Sequence, residues 1–166
     1  AAETAKFTAA DDALWERMIA LNLTSVVRAT RRVLPGMLER GWGRVITVAS
    51  TAGLKGYAYV SAYSAAKHAV VGMTRSLALE TARSGVTVNA VCPGYTDTDL
   101  VRDSVARLAE RTGKPAEALV AEMVAGNPQR RLIEPEEVAR TVVWLADPAS
   151  GSMTGQAIAV AGGEIM

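Results

Sequence analysis

The chain has a single cysteine, Cys92, so no internal disulfide framework is possible. That fits a reducing compartment. Excess charge of one sign is also missing: 18 basic against 17 acidic residues leave a net +1. A nucleic-acid surface built on bulk charge is therefore excluded, and no nucleic-acid partner is expected. No apolar run reaches the length needed to span a bilayer, and no secretory signal is visible. No membrane partner is expected, and the cytoplasm is the default location. Internal repeats and low-complexity tracts are absent as well, and no metal site is expected. What remains is 166 residues, a usual length for one domain with a real core.

What is present is an alternation. Residues 11–40, "DDALWERMIALNLTSVVRATRRVLPGMLER", carry Leu14, Met18, Leu21, Ser25 and Val26 at helical spacing. Thr8 or Asp11 could cap that helix, and Pro35-Gly36 should bend or locally break it. "GRVITVAS" (43–50) is a β-branched run after a Gly-rich turn, hence a buried strand. A helix is predicted from about Ser61, with Gly85 as its stop. "VTVNAVCPG" reads as a second apolar strand, closed by Pro93-Gly94. Two amphipathic helices over 99–126, split at "TGKP", precede a helix with Pro135 near its start and acids in its first turn. "TGQAIAVAGG" supplies a last short strand. Apolar strands alternating with helices imply an α/β fold, a parallel sheet covered on both faces.

The chemistry gathers in "SAYSAAKHAVVG" (61–72). Tyr63 and Lys67 are four residues apart, so they share a helix face about one turn apart. An ammonium nearby favours phenolate and should lower the Tyr63 pKa from about 10. The positive end of the helix dipole acts in the same direction. A tyrosine tuned in this way can donate or accept a proton at an alcohol or carbonyl oxygen. Lys67 has donors to spare for a sugar hydroxyl. Ser50 ends the strand "VITVAS" at the carboxyl edge of the sheet, where ligands of open α/β sheets bind. Asn22 sits inside the first helix, where it can open a backbone carbonyl or hold a water. His68, the only histidine, is one position off the active face and reads as a packing or interface residue. Cys92 reads as a small core residue. Arg102, Arg107, Arg111, Lys114, Arg130 and Arg131 read first as a solvated face and second as a site for an anionic substrate arm.

Six stretches, "ALNLTSV", "GRVITVASTAG", "YSAAKHAVVGMTRSLALE", "VTVNAVCPGYTDTDL", "EPEEVA" and "MTGQAIAVAGG", run in order along the chain. Over residues 11–166 they resemble the catalytic and C-terminal part of the short-chain dehydrogenase/reductase family. A Tyr-xxx-Lys spacing alone arises by chance about 0.1 times in this composition; requiring Ser50 and Asn22 as well lowers that to about 0.0001. The resemblance implies a doubly wound, Rossmann-like sheet and a catalytic tetrad of Asn22, Ser50, Tyr63 and Lys67. Tyr63 would be the acid/base, Ser50 the carbonyl polariser, and Asn22 the holder of a relay water. Lys67 would bind the nicotinamide ribose and depress the Tyr63 pKa. Pro93, Gly94, Thr96 and Thr98 match the segment that touches the nicotinamide end of an NAD or NADP cofactor. The implied reaction interconverts a secondary alcohol and a ketone, leaning toward 3-hydroxyacyl and 3-oxoacyl thioesters on CoA or a carrier protein. The helical stretch 99–131 corresponds to the substrate lid. Val60 stands where a basic residue would be expected for a free hydroxybutyrate carboxylate, which tilts the reading toward a thioester. A homo-oligomer, dimer or tetramer, is implied.

The family's TGxxxGxG and NNAG motifs are not present in the sequence. The opening "AAETAKFTAADD" has no initiator Met and reads as a loop internal to a protein. The expectation is a Rossmann-like fold truncated at its N-terminal side. Three explanations compete: a fragment, a partner polypeptide carrying the first half, or a truncated, non-catalytic scaffold or oligomerisation subunit.

Overall fold

The computed structural model describes residues 2–166. Asp11 opens the first helix: its side chain accepts from the Leu14 amide at 2.8 Å, so Asp11 rather than Thr8 is the cap. Helix α1 (Asp12–Ile19) passes through a π-helical segment, Ala20–Thr24, into α2 (Ser25–Glu39) without leaving helical backbone. Pro35 lies inside α2 and does not break it. Its surroundings are exposed, so water can satisfy the carbonyl that the missing N–H leaves behind.

Strand β1 (Gly43–Val48) follows, then α3 (Ser61–Thr81), β2 (Val86–Pro93), α4 (Asp99–Thr112), α5 (Ala116–Met123), α6 (Pro135–Ala146) and β3 (Ala157–Val160). α3 ends four residues before Gly85, whose φ of +74° turns the chain into β2. Glu134 and Glu137 form a capping box at the start of α6. Glu137 also meets Arg131 at 2.6 Å, and that guanidinium first, with the Glu134 amide second, holds its carboxyl down to about 2.

The three strands are parallel in the order β1-β2-β3. Gly43–Val48 pair with Val86–Val91, and Ala90–Pro93 pair with Ala157–Val160. β2 is central and buried on both faces, which is why it reads as a continuous apolar run. Val45, Ala49, Val86, Val88, Ala90 and Cys92 pack under α2 and α3, against Leu34, Met37, Val70, Val71 and Ala78. Each fully buried valine contributes about 1.5–3 kcal/mol. The buried hydroxyls Thr47 and Thr74 meet within this layer at 3.3 Å. α6 packs against all three strands. On that side Asn89, fully buried, donates to the Met153 carbonyl at 2.7 Å and accepts from the Gln156 amide at 3.0 Å, fastening the turn before β3. This is the parallel sheet covered on both faces that the alternation implied, in the doubly wound, Rossmann-like arrangement that the resemblance implied. No helix among the described residues is long and apolar enough to cross a membrane.

Candidate active site

Because the strands are parallel, the residues that follow them emerge on one edge of the sheet. Ser50 leaves β1 in extended backbone and caps a short turn, with its Oγ accepting from the Ala52 amide at 3.1 Å. The turn presses directly onto α3: a Cβ on Gly53 would come 2.7 Å from the Lys67 carbonyl oxygen. That close approach sets Ser50 beside the first turn of α3, where its side chain neighbours the Tyr63 phenol and both line one cleft.

Tyr63 and Lys67 share a face, as their spacing requires, but the expected lowering of the phenol is not what the geometry produces. Burial pushes the Tyr63 phenol up, and the Ser50 side chain beside it only partly opposes that. The reason lies in where the ammonium sits. Lys67 Nζ lies 5.7 Å from the centre of the Tyr63 ring and donates to the Val48 carbonyl at 3.1 Å, so it faces the ring and the strand end. Burial in turn lowers the pKa of Lys67, with the nearby Cys92 sulfur opposing.

Asn22 falls inside the π-helical segment and is 5% exposed. Its Nδ2 donates to the Met18 carbonyl at 3.1 Å, and this segment packs against α3. The carboxamide thus engages the backbone of its own helix. π-turns inside α-helices recur at functional sites.

A cleft of about 570 Å³ opens at this edge. Ser50, Tyr63, Pro93, Gly94, Thr96 and Thr98 all line it; Lys67 and Asn22 lie behind its wall. The segment after β2 is held by its own hydroxyls and by β3: Gly94 N–H donates to Val160 O at 3.0 Å, and Thr96 Oγ1 donates to Gly94 O at 3.1 Å. Leu100, Val101, Ser104 and Arg107 of α4, with Met123 of α5, form one wall. They recur at helical spacing, so one face of α4 is turned to the cleft. Among the described residues no acidic side chain lines it.

The cations of 99–131 divide. Arg102 pairs with Asp97 and Asp99, Lys114 with Glu122, and Arg131 with Glu137, as a solvated face would. Arg107 instead reaches the cleft and donates to Ser104 Oγ at 3.3 Å. His68 is exposed, its Nδ1 2.9 Å from the Ser64 carbonyl, outside the site as its position foretold. Cys92 is fully buried in the core, where burial raises its thiol. Thr51, Tyr57 and Tyr95 also line the cleft, and of these only Tyr57 has a signal in the sequence, the paired tyrosines of "KGYAYV".

A family model described as enoyl-(acyl carrier protein) reductase, of the short-chain dehydrogenase/reductase type, matches residues 1–164. The chain belongs to the short-chain dehydrogenase/reductase family. Among its relatives, the D-beta-hydroxybutyrate dehydrogenase of Cupriavidus necator is 45% identical over 142 residues, 85% of this chain and 55% of that protein. The acetoacetyl-CoA reductase of Rhizobium meliloti is 41% identical over 150 residues, 90% of this chain and 58% of that protein. A crystal structure of an actinorhodin polyketide ketoreductase variant with NADPH superimposes with a TM-score of 0.91 at 39% identity, covering 99% of this chain and 64% of that one. The sorbitol-6-phosphate 2-dehydrogenase of Erwinia amylovora gives 0.93 at 29% identity, covering 100% and 66%. The chain therefore spans less than two thirds of the length of these short-chain dehydrogenase/reductase relatives.

Proposed function

We propose that the protein carrying this chain is an NAD(P)-dependent oxidoreductase that interconverts a secondary alcohol and a ketone. The observation that carries the reading is the placing of the Ser50 and Tyr63 side chains together in the lining of a largely apolar cleft, with a lysine one helical turn behind the phenol. Two hydroxyls at the carboxyl edge of a parallel sheet can grip one carbonyl oxygen from two sides. Burial keeps the phenol protonated near neutral pH, which suits a proton donor.

The residues present fit the nicotinamide end of a dinucleotide. Lys67 carries three donors and gives one to Val48 O, leaving others for ribose hydroxyls. Gly94 leaves no side chain between the cleft and the close packing of Ala161, which a Cβ would approach to 3.2 Å. Tyr63, Lys67, Pro93, Gly94, Thr96 and Thr98 would hold the nicotinamide end. When bound, the cofactor supplies or accepts the hydride. In the reduction direction Ser50 steadies the carbonyl oxygen, and Tyr63 transfers its proton to that oxygen as the carbonyl carbon is reduced. The phenolate left behind is reprotonated through a water held near Asn22. In oxidation the Tyr63 phenolate takes the alcohol proton.

The substrate class favoured is a 3-oxoacyl or 3-hydroxyacyl thioester on CoA or a carrier protein. The apolar wall of Leu100, Val101 and Met123 suits an acyl arm, and Val60 offers nothing to a free carboxylate. Arg107, on the same wall, would meet an anionic group of that arm. On this reading 99–131 is the lid. Leu79, Val143 and Trp144, at 81%, 70% and 50% exposure, are the surfaces a homo-oligomer would cover.

These same exposed faces, with β1 paired on one side only among the described residues, favour a second reading, a non-catalytic scaffold or oligomerisation subunit. The test is turnover of a 3-oxoacyl thioester with NADH and with NADPH, alongside direct cofactor binding. Binding and turnover with either cofactor support the enzyme. No binding of either one supports the scaffold.

A further inference from the structure

Glu164, near the end of the chain, has a side chain only 7% exposed. Its Oε1 lies 2.6 Å from Tyr57 Oη and 3.1 Å from Lys55 Nζ. Tyr57 Oη lies 2.7 Å from Thr51 Oγ1. The proton order of this chain follows from what each group can do. A carboxylate only accepts, so the single Tyr57 proton goes to Glu164. The Thr51 hydroxyl must then donate to Tyr57. Thr51 is buried and directly follows Ser50.

The carboxylate has other neighbours. A Cβ on Gly94 would lie 3.3 Å from Glu164 Oε2, and one on Gly126 would lie 3.6 Å from Oε1. One buried carboxylate therefore borders the loop after β1, the segment after β2 and the chain beyond α5, and carries the C-terminal segment itself. The loop it holds has few anchors of its own. Gly56, Ala58 and Tyr59 are exposed, and Tyr59 is in the left-handed region at φ +67°. Tyr57 is the side chain that turns inward, with the Lys55 ammonium 4.9 Å over its ring.

We propose that Glu164 and Tyr57 are positioning residues: through Thr51 they lock the loop that follows Ser50 and so fix the roof of the cleft over the reacting carbonyl. This rests on the oxidoreductase reading for its catalytic consequence, but not for the lock. The segment after β3 becomes a working part of the site, coupling the β1 loop to the far end of 99–131 through one charged group.

The experiment compares wild type with Tyr57→Phe, Glu164→Gln and Glu164→Ala by amide hydrogen exchange over 51–60 and by steady-state kinetics with an acetoacetyl thioester. Tyr57→Phe is expected to speed exchange in 51–60 about tenfold while 61–81 keeps its protection, and to lower kcat about tenfold with KM changed less than threefold. Glu164→Gln keeps an acceptor for Tyr57 and should restore most of the protection and kcat that Glu164→Ala loses. Unchanged exchange in both Tyr57→Phe and Glu164→Ala overturns the lock. Faster exchange with unaltered kcat overturns the positioning role. If Glu164→Ala fails to fold, Tyr57→Phe and Glu164→Gln carry the comparison. If wild type shows no turnover, the oxidoreductase reading fails, and exchange still decides the lock.

Discussion

Replacing Tyr63 with Phe removes one oxygen and one proton from the centre of the proposed site. The structural cost is small. The neighbouring Ser50 side chain keeps the Ala52 amide at 3.1 Å, so it is not stranded. Even a full hydrogen bond lost there would cost only about 0.5–1.5 kcal/mol of stability. The chemical cost is larger. A positioned proton donor is worth about 10²–10⁴ in rate, or about 3–5.5 kcal/mol of barrier. The two effects should therefore separate: denaturant midpoints nearly superimposed, and thioester reduction, followed through the absorbance of the reduced nicotinamide, down at least a hundredfold. A pH series sharpens the test. Because burial pushes the phenol up, reduction needs the form already present at neutral pH, and its rate should be flat there. Oxidation of the alcohol needs phenolate and should rise about tenfold per pH unit until the phenol titrates. The variant should lack that slope. Turnover within tenfold of wild type, or the same slope in the variant, would refute Tyr63 as the proton carrier.

Three further outcomes are expected. Arg107→Ala should raise KM several-fold for a CoA thioester and leave KM for a small neutral ketone unchanged; equal effects on both would discard the anionic arm. Gly53→Ala places a Cβ 2.7 Å from the Lys67 carbonyl oxygen, which backbone cannot easily yield; a loss of about 1–3 kcal/mol in chemical denaturation is expected, with a disproportionate loss of turnover as Ser50 is pushed off Tyr63. Lys67→Met should alter the pH dependence of stability. The lysine's pKa is lowered in the fold from 10.5, so below that value the unfolded chain binds more protons and wild-type stability climbs with pH. Denaturant midpoints at pH 8, 9 and 10 should show wild type gaining on the variant, and parallel curves would contradict a desolvated amine.

The elements were legible where local chemistry is one-sided. β2 is a β-branched run bounded by Gly85 and Pro93-Gly94, and nothing competes with a buried strand there. Tyr63 and Lys67 were legible because a four-residue spacing fixes a shared face in any helix. The orientation of the ammonium was not, because it depends on the Val48 carbonyl, nineteen residues earlier in sequence. Nor could the effect of Pro35 be read, since continuity of α2 depends on solvent reaching the freed carbonyl. The Tyr57–Glu164 contact joins positions 107 residues apart, and no periodicity or spacing rule reaches that far.

The π-helical segment at Ala20–Thr24 has a consequence for how the long first helix can be edited. An i→i+5 turn holds one residue more than an α-turn, so the helix carries a surplus residue at this point. The residues facing the sheet and α3 run Met18, Asn22, Val26, Thr30 and Leu34, a step of four that overshoots the 3.6-residue period. The surplus absorbs part of that drift, like a leap day in a calendar. Removing one residue between Ala20 and Thr24 would let a regular helix re-form with the parts before and after it still facing α3, whereas removing one from the regular stretch of α2 would turn everything before the cut by about 100°. A chain that tolerates the first deletion and not the second would show that the surplus residue is slack the helix can give up.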